Sequence, residues 1–461
     1  MPLQDLTSDR LNLLQRIRYS IFPGTYHGVI DRERYRQLFN SLLLHFRPQT
    51  VPRPTLKFTL TWGLGGMAVV LVGLLFTTGL MLKFVYQPVP DRAYESIFHL
   101  QNTVYFGQLV RNIHHWGANA LLLVVFLHLL RIFFSGAFHS PRQFNWVIGL
   151  AMFLLVLGSN FTGYLLPWDQ LAFWAVTICT GMLEYIPGIG IGLQRLIRGG
   201  ADIGPATLSI FFAIHTAIIP AGLLFLIPFH FWRIRKARGL VIPREPGDDL
   251  TGRGEPVATI PNLIVRELVV AAVLVALLLL LSVLFNAPLE AKANPGLSPN
   301  PTKAPWYFAG LQELLLHFHP LFAVCVIPAT IVGLLFFVPY LRYDADTAGV
   351  WFASYRGRRM AVLAAAIALI ITPPAIVADE FVVDFALWMP AVPAVISNGL
   401  LPASLILAGI IGFYLLMKHR FSANTNEALQ AVFVLLLTAF IILTITGIWF
   451  RGQEMALGWA W

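Results

Sequence analysis

Charge is scarce in this chain. Of 461 residues only 12% are Asp, Glu, Lys or Arg, while 57% are hydrophobic, too little polarity to clothe a water-soluble domain of this length. Cysteine is scarcer still: Cys179 and Cys325 are the only two, and neither lies in a CxxC or CxxCH motif. A disulfide framework, a cysteine-held iron–sulfur cluster and thioether-attached haem of the usual kind are thereby excluded. Any metal must rest on histidine. A basic, aromatic-interleaved polar segment able to bind nucleic acid is also missing, so the net charge of +9 needs another reason.

Long apolar runs are what the chain has in abundance. Nine approach or exceed the roughly twenty residues needed to cross about 30 Å of hydrocarbon: 59–83, 107–133, 146–165, 206–234, 265–285, 320–341, 360–378, 399–417 and 429–449. The expected fold class is all-α, a polytopic membrane protein. No cleavable signal is visible at the start, and nine of the 32 Lys and Arg precede the first run, with most of the others in alternate loops. That bias places the N-terminus in the cytoplasm and, after nine crossings, the C-terminus outside.

Four segments follow. Residues 1–57 are polar and arginine-rich, with prolines at 48, 52 and 54, and read as a cytoplasmic segment. Residues 58–238 hold four runs, expected to form a four-helix bundle, and 263–461 hold five. Between them 239–262, rich in Gly, Pro and charge, reads as an inward linker. Two outward connections, 166–205 and 287–319, are too long for simple turns and carry aromatic and amphipathic stretches, a mark of functional loops.

Four histidines, His114, His128, His215 and His230, fall inside the second and fourth runs. An ionisable residue within a membrane span points to function. His114 and His128 are 14 residues apart, about 21 Å along a helix with a net turn of about 40°, so both face one side. His215 and His230 are 15 apart, about 22 Å with a net turn of about 60°. Both runs cross in the same direction, so His114 meets His215 near the outer face and His128 meets His230 near the inner one. Two facing neutral imidazoles suit the axial positions of a haem iron, and bundle cores are where such groups are held.

Gly65 and Gly79 in the first run, and Gly149 and Gly163 in the third, repeat the 14-residue interval. A residue without Cβ lets the backbone approach a flat ring edge; ordinary small-residue helix packing is the plainer alternative. Arg111 and Arg131 lie three residues outside His114 and His128, one turn nearer each membrane face, where a haem propionate would want a cation. Interfacial snorkelling is compatible with the same placement. His115 points about 100° away from His114 and cannot share its iron.

RNIHHWGANALLLVVFLHLLR (111–131), GYLLPWDQLAFWAV (163–176), FFAIHTAIIPAGLLFLIPFHFWRIRK (211–236) and APWYF (304–308) together resemble cytochrome b of the cytochrome bc complexes, strongly over 55–341 and loosely beyond. The chain looks like a bacterial form in which the family's two halves are fused. The resemblance implies a quinol-oxidising subunit with two non-covalent b-type haems. Such a subunit sends one electron outward to an iron–sulfur partner and the other inward, through both haems, to a second quinone site, coupled to proton translocation. A place in the bacterial inner membrane, a Rieske protein and a cytochrome c subunit as partners, a homodimeric complex and contact with membrane lipid are implied with it, and menaquinone is the expected quinone. Residue by residue, His114 and His215 would hold the outer haem and His128 and His230 the inner one. Arg111 and Arg131 match propionate-contacting arginines, and Arg235 matches a basic residue beside the inner haem and inner quinone site.

Departures from the family pattern raise their own expectations. The motif usually written PEWY reads Ala304, Pro305, Trp306 and Tyr307 here, so the glutamate thought to take a proton from quinol is missing. Some nearby group must take it. Glu313, Asp169 and Tyr307 are the candidates, with Trp306 walling the same site, and Glu313 ranks first because it follows within two helical turns. A carboxylate paired at the membrane interface is the plain alternative for Glu313. The chloroplast branch, which shares the fifteen-residue histidine interval, attaches an extra haem to a first-span cysteine; that place is Gly63 here, so no third haem is expected. HFH at 317–319 has too few ligands for a metal site, and the ninth run has no assignable role.

Two other functions stay open on the residues alone. One is a di-haem membrane anchor conducting electrons between quinone and another soluble oxidoreductase subunit; the other is a transporter whose histidines relay protons. The pair of outer loops argues against the anchor, and the matched intervals argue against the transporter.

Overall fold

The computed structural model describes residues 12–21, 50–237, 239–246 and 254–458. Most of the expected cytoplasmic segment 1–57 and the middle of the 239–262 linker lie outside the described residues. Among the described residues nine helices are long and apolar enough to span a membrane: Leu64–Lys83, Gly107–Phe134, Gln143–Tyr164, Pro205–Lys236, Thr259–Leu284, Leu321–Tyr340, Tyr355–Phe381, Ile396–Arg420 and Thr425–Trp449. Every expected run is a helix, and among the described residues the fold is all-α apart from one short strand pair.

Local chemistry sets the ends. The ninth span starts before its apolar run because Asn424 and Glu427 form a capping box, each side chain accepting from the other's backbone N–H at 2.8 Å. The seventh starts early because the Ser354 hydroxyl accepts from Gly357 N at 3.0 Å. The first span begins late, since Trp62 and Gly63 both take left-handed backbone, φ 52° and 66°, and break it from the turn Phe58–Thr61.

Three spans open into π-turns, at Ile214–Ile218, Leu321–Val326 and Ile396–Leu400. In each the closing amide donates five residues back: Ile219 to Ile214, Ile327 to Phe322 and Leu401 to Ile396. The next residue in every case is proline, Pro220, Pro328 or Pro402. A proline ring clashes with the carbonyl four residues back and brings no N–H, so the preceding turn widens to satisfy its groups another way.

The first four spans pack around Leu71, Leu121, Leu122, Val156 and Leu223, and Leu278 of the fifth closes that core. Met360, Ala364, Met417, Ala428 and Ala431 join the last three spans. The halves are not separate bodies. Phe133, Phe134 and Trp146 pack on Phe433 and Leu437 of the ninth span, and Thr50–Pro52 pairs antiparallel with Pro256–Ala258, tying the linker's end to the approach of the first span. The connection 166–205 folds into helices Gln170–Gly181 and Gly190–Arg198, and 287–319 contains helix Trp306–His317.

Candidate haem and quinol sites

The second and fourth spans bring His114 and His215 opposite each other. Their ring centroids are 6.2 Å apart and the planes are inclined at 73°. Two metal–nitrogen bonds of about 2 Å each fit across such a gap. The tautomers can be argued from the partners. His215 Nδ1 lies 3.0 Å from the Ser159 carbonyl, which can only accept, so Nδ1 carries the proton. His114 Nδ1 lies 2.9 Å from Thr78 Oγ1. The Thr78 hydroxyl already donates to the Leu74 carbonyl at 2.9 Å, so it accepts from His114. Both rings therefore keep a bare Nε2, as a metal-ligating imidazole oriented through its other nitrogen does.

His128 and His230 lie toward the other end of the same two helices, within electrostatic reach of each other. Their Nδ1 atoms are buried and make no hydrogen bond of ordinary geometry. The unequal intervals on the two helices are reconciled by the π-turn Ile214–Ile218, which contains His215 and takes up about one extra residue. Among the described residues no cluster of three or more His, Cys, Asp or Glu could hold a bare metal ion. Two-histidine sites suit a macrocycle that supplies the remaining ligands, and the donor set fits haem.

Each expected glycine faces one of these histidines. A Cβ on Gly79 would lie 3.2 Å from His114 Cε1, on Gly163 2.6 Å from His215 Cε1, on Gly65 3.5 Å from His128 Cε1 and on Gly149 3.6 Å from His230 Cε1. The shared interval thus has a cause beyond a flat ring edge: the glycines make room for the imidazoles.

The arginines differ from one another. Arg131 is buried; its Nε donates to the Leu60 carbonyl at 2.7 Å, while Nη2 is buried without a partner, an orphan donor that fits a carboxylate of a bound group. Arg111 instead donates both terminal nitrogens to the carbonyls of Ala287 and Pro288, at 2.7 and 2.6 Å. With Asn112, whose Nδ2 donates to the Ser282 carbonyl at 2.8 Å, and Trp116, whose Nε1 donates to that of Phe285 at 2.8 Å, it clamps the end of the fifth span to the second span. Arg235 lies half-buried in the last turn of the fourth span.

In the 287–319 connection, Tyr307 packs against the core of the first four spans, and Trp306 Nε1 donates to Asn119 Oδ1 of the second span at 2.7 Å. Tyr164 and Cys179, neither expected at this site from sequence, stand close enough to Tyr307 to act on it electrostatically, and Asp169 does the same to Tyr164. Burial pushes the Tyr307 phenol up, so it stays protonated at neutral pH. Asp169 caps helix Gln170–Gly181, accepting from Ala172 N at 2.9 Å, and its other oxygen accepts from Glu290 N at 3.3 Å. Burial raises its carboxyl above the ordinary range, against the pull of those two amides and of Arg111. Trp168 beside it is buried with left-handed backbone, φ 54°, the kind of outlier that collects at functional sites.

Glu313 is placed elsewhere. It lies six residues beyond Tyr307, about 240° around their helix, fully buried and gripped by Arg451 and His317. That removes the ground for ranking it first as proton acceptor. The sequence offered no hint of this partner, because Arg451 is 138 residues away.

The family model Cytochrome b/b6/petB matches residues 51–238. The chain is 39% identical over 213 residues to the menaquinol:cytochrome c reductase cytochrome b subunits of Geobacillus thermodenitrificans and of Bacillus subtilis (strain 168), covering 46% of this chain and 95% of each relative. It is 39% identical over 173 residues to cytochrome b6 of Prochlorococcus marinus (strain AS9601), covering 38% of this chain and 79% of that one. A solved structure described as hyperthermophilic respiratory Complex III shares the fold over 90% of this chain and 96% of its own, with a TM-score of 0.61 and 22% identity. With its paired histidines carried on a span arrangement of this kind, the chain belongs to the cytochrome b/b6 family, as a bc-type cytochrome b.

Proposed function

We propose that this chain is the cytochrome b subunit of a bacterial bc-type complex that oxidises menaquinol at an outer site and reduces quinone at an inner one, coupled to proton translocation. The observation that carries the reading is the His114–His215 pair, 6.2 Å between ring centroids with both Nδ1 atoms committed elsewhere. His114 and His215 would hold one b haem and His128 and His230 the other, with Gly65, Gly79, Gly149 and Gly163 clearing the rings. Bound there, the two haems would supply one-electron redox chemistry between the outer and inner faces. Arg131 Nη2 is the proposed propionate donor. Arg111 keeps the outer end closed by holding the 287–288 backbone, and Arg235 stands at the inner quinone site.

At the outer site Tyr307 and Trp306 would wall the quinol. The protonated Tyr307 hydroxyl can donate a hydrogen bond to a quinol oxygen, and Asp169, made more basic by burial, can take a proton. Menaquinol is favoured because two relatives at 39% identity bear that substrate in their names. A Rieske protein and a cytochrome c subunit as partners, a homodimer and a cytoplasmic N-terminus in the inner membrane complete the reading. The test is gentle purification followed by subunit identification and a naphthoquinol-dependent reduction assay. A Rieske subunit and two b-type optical transitions support it; two b haems beside an unrelated catalytic subunit would overturn it in favour of a di-haem anchor.

A further inference from the structure

The ninth span backs the helix that carries the outer-site residues. Gly310 on helix Trp306–His317 comes so close that a Cβ there would lie 2.6 Å from Thr444 Oγ1 and 2.8 Å from Phe440 Cε2. Gly447 returns the approach, with its Cβ position 2.9 Å from the Ala309 carbonyl oxygen. Ahead of the helix, Lys303 Nζ donates to the Ile448 carbonyl at 2.8 Å. Beyond the end of the span, Arg451 Nη2 meets Glu313 Oε1 at 2.7 Å and Nε meets Oε2 at 3.0 Å, both side chains being essentially inaccessible to solvent. Arg451 Nη1 also donates to Glu380 Oε2 at 2.8 Å, while His317 bridges Glu313 and Asp379 at 3.2 and 2.6 Å.

A buried ion pair is a weak source of net stability, because desolvating both charges offsets most of their attraction; what it can do well is fix one register and penalise others. Here it fixes a helix whose first residue, Trp306, donates through Nε1 to Asn119 Oδ1 of the second span, and whose second, Tyr307, packs on the core of the first four spans. We infer that Arg451, delivered by the ninth span, is a positioning residue for the outer quinol site: it locks Glu313 and thereby sets Trp306 and Tyr307 against the haem-bearing bundle. The inference rests on those two residues walling that site. It gives the ninth span a role and explains why Glu313 is charged yet turned away from Tyr307.

The experiment compares Arg451→Lys, Arg451→Met, Glu313→Gln and the double variant Glu313→Gln/Arg451→Met in the whole complex. Each is measured for naphthoquinol kcat and KM, thermal stability, haem spectrum and hydrogen exchange of the 304–312 backbone amides. Arg451→Met strands a buried carboxylate and should lose both stability and turnover. The double variant removes both charges and should recover most of the stability, yet stay about tenfold slower in kcat/KM with faster exchange at 304–312 and an unchanged haem spectrum. Arg451→Lys, which keeps the charge but not the fork, should restore turnover in part. A double variant with wild-type kinetics overturns the inference. Should the wild-type complex not oxidise naphthoquinol at all, the outer-site reading fails by itself; the lock is then judged on exchange, and unchanged exchange in the double variant overturns it.

Discussion

Gly163 and His215 approach so closely that a methyl group on the glycine would sit 2.6 Å from the imidazole Cε1. The corresponding gaps are 3.2 Å for Gly79, 3.5 Å for Gly65 and 3.6 Å for Gly149. Substitution by alanine should follow that order. Gly163→Ala is expected to displace His215 and cut outer-haem retention by about tenfold, since overpacking costs about 1–3 kcal/mol. Gly149→Ala meets only ordinary van der Waals contact and should keep the inner haem. Haem content of the purified variants checks the ranking, and equal losses at all four positions would contradict it.

Thr78 and Ser159 orient His114 and His215 by different atoms, which makes them separable. Thr78→Val removes the hydroxyl that accepts from His114 Nδ1 and should weaken haem binding by about 10–100-fold, the usual effect of losing a ligand's hydrogen-bond partner. Ser159→Ala should do little, because the backbone carbonyl is the 3.0 Å acceptor and the hydroxyl is 3.5 Å away. Haem titration into the apoprotein distinguishes the two.

Arg131 and Arg111 looked equivalent by spacing and differ in partners. Arg131→Gln is expected to weaken inner-haem retention, by about 1.5–3 kcal/mol if its free Nη2 meets a charged carboxylate. Arg111→Gln should loosen the 285–290 connection, read as faster limited proteolysis there. Identical behaviour of the two variants would sink the distinction.

Much of this was legible in the sequence because it depends on period and composition. Nine apolar runs correspond to the nine spans among the described residues, and the 14- and 15-residue intervals are enough to set His114 opposite His215. What escaped were features set by other forces. The π-turn around His215 is a consequence of Pro220, a signal present in the sequence but submerged in an otherwise regular helix. Arg111 was read from its distance to His114, whereas its guanidinium follows the nearest unsatisfied carbonyls, those of Ala287 and Pro288. Glu313 was read from its distance to Tyr307, yet helix rotation and a partner 138 residues away decide where it faces.

The charge cluster around Glu313 should make stability depend on alkaline pH. Burial alone would lower the pKa of His317, but its hydrogen bonds to Asp379 and Glu313 and their charges raise it from 6.5 to about 9. A group whose folded pKa is raised contributes stability that is fully present below its unfolded value and lost as pH rises through the folded one. The charged groups that meet His317 are Glu313 and Asp379, and Glu313 is held in turn by Arg451, which also binds Glu380. Glu313, held below the ordinary carboxylate range by His317 and Arg451 despite burial, gives the reverse dependence in acid. The melting temperature of the solubilised complex should therefore fall between about pH 6.5 and 9, and His317→Gln should flatten that slope. A variant with the wild-type slope would assign the dependence to other groups.

One optical experiment decides how the four histidines pair. Reduced-minus-oxidised spectra, with haem extracted and counted, should show two non-covalent b haems per chain. His114→Leu and His215→Leu should erase the same spectral component, and His128→Leu and His230→Leu the other. Loss of different components from His114→Leu and His215→Leu, or a wild-type protein carrying a single haem, would contradict the arrangement.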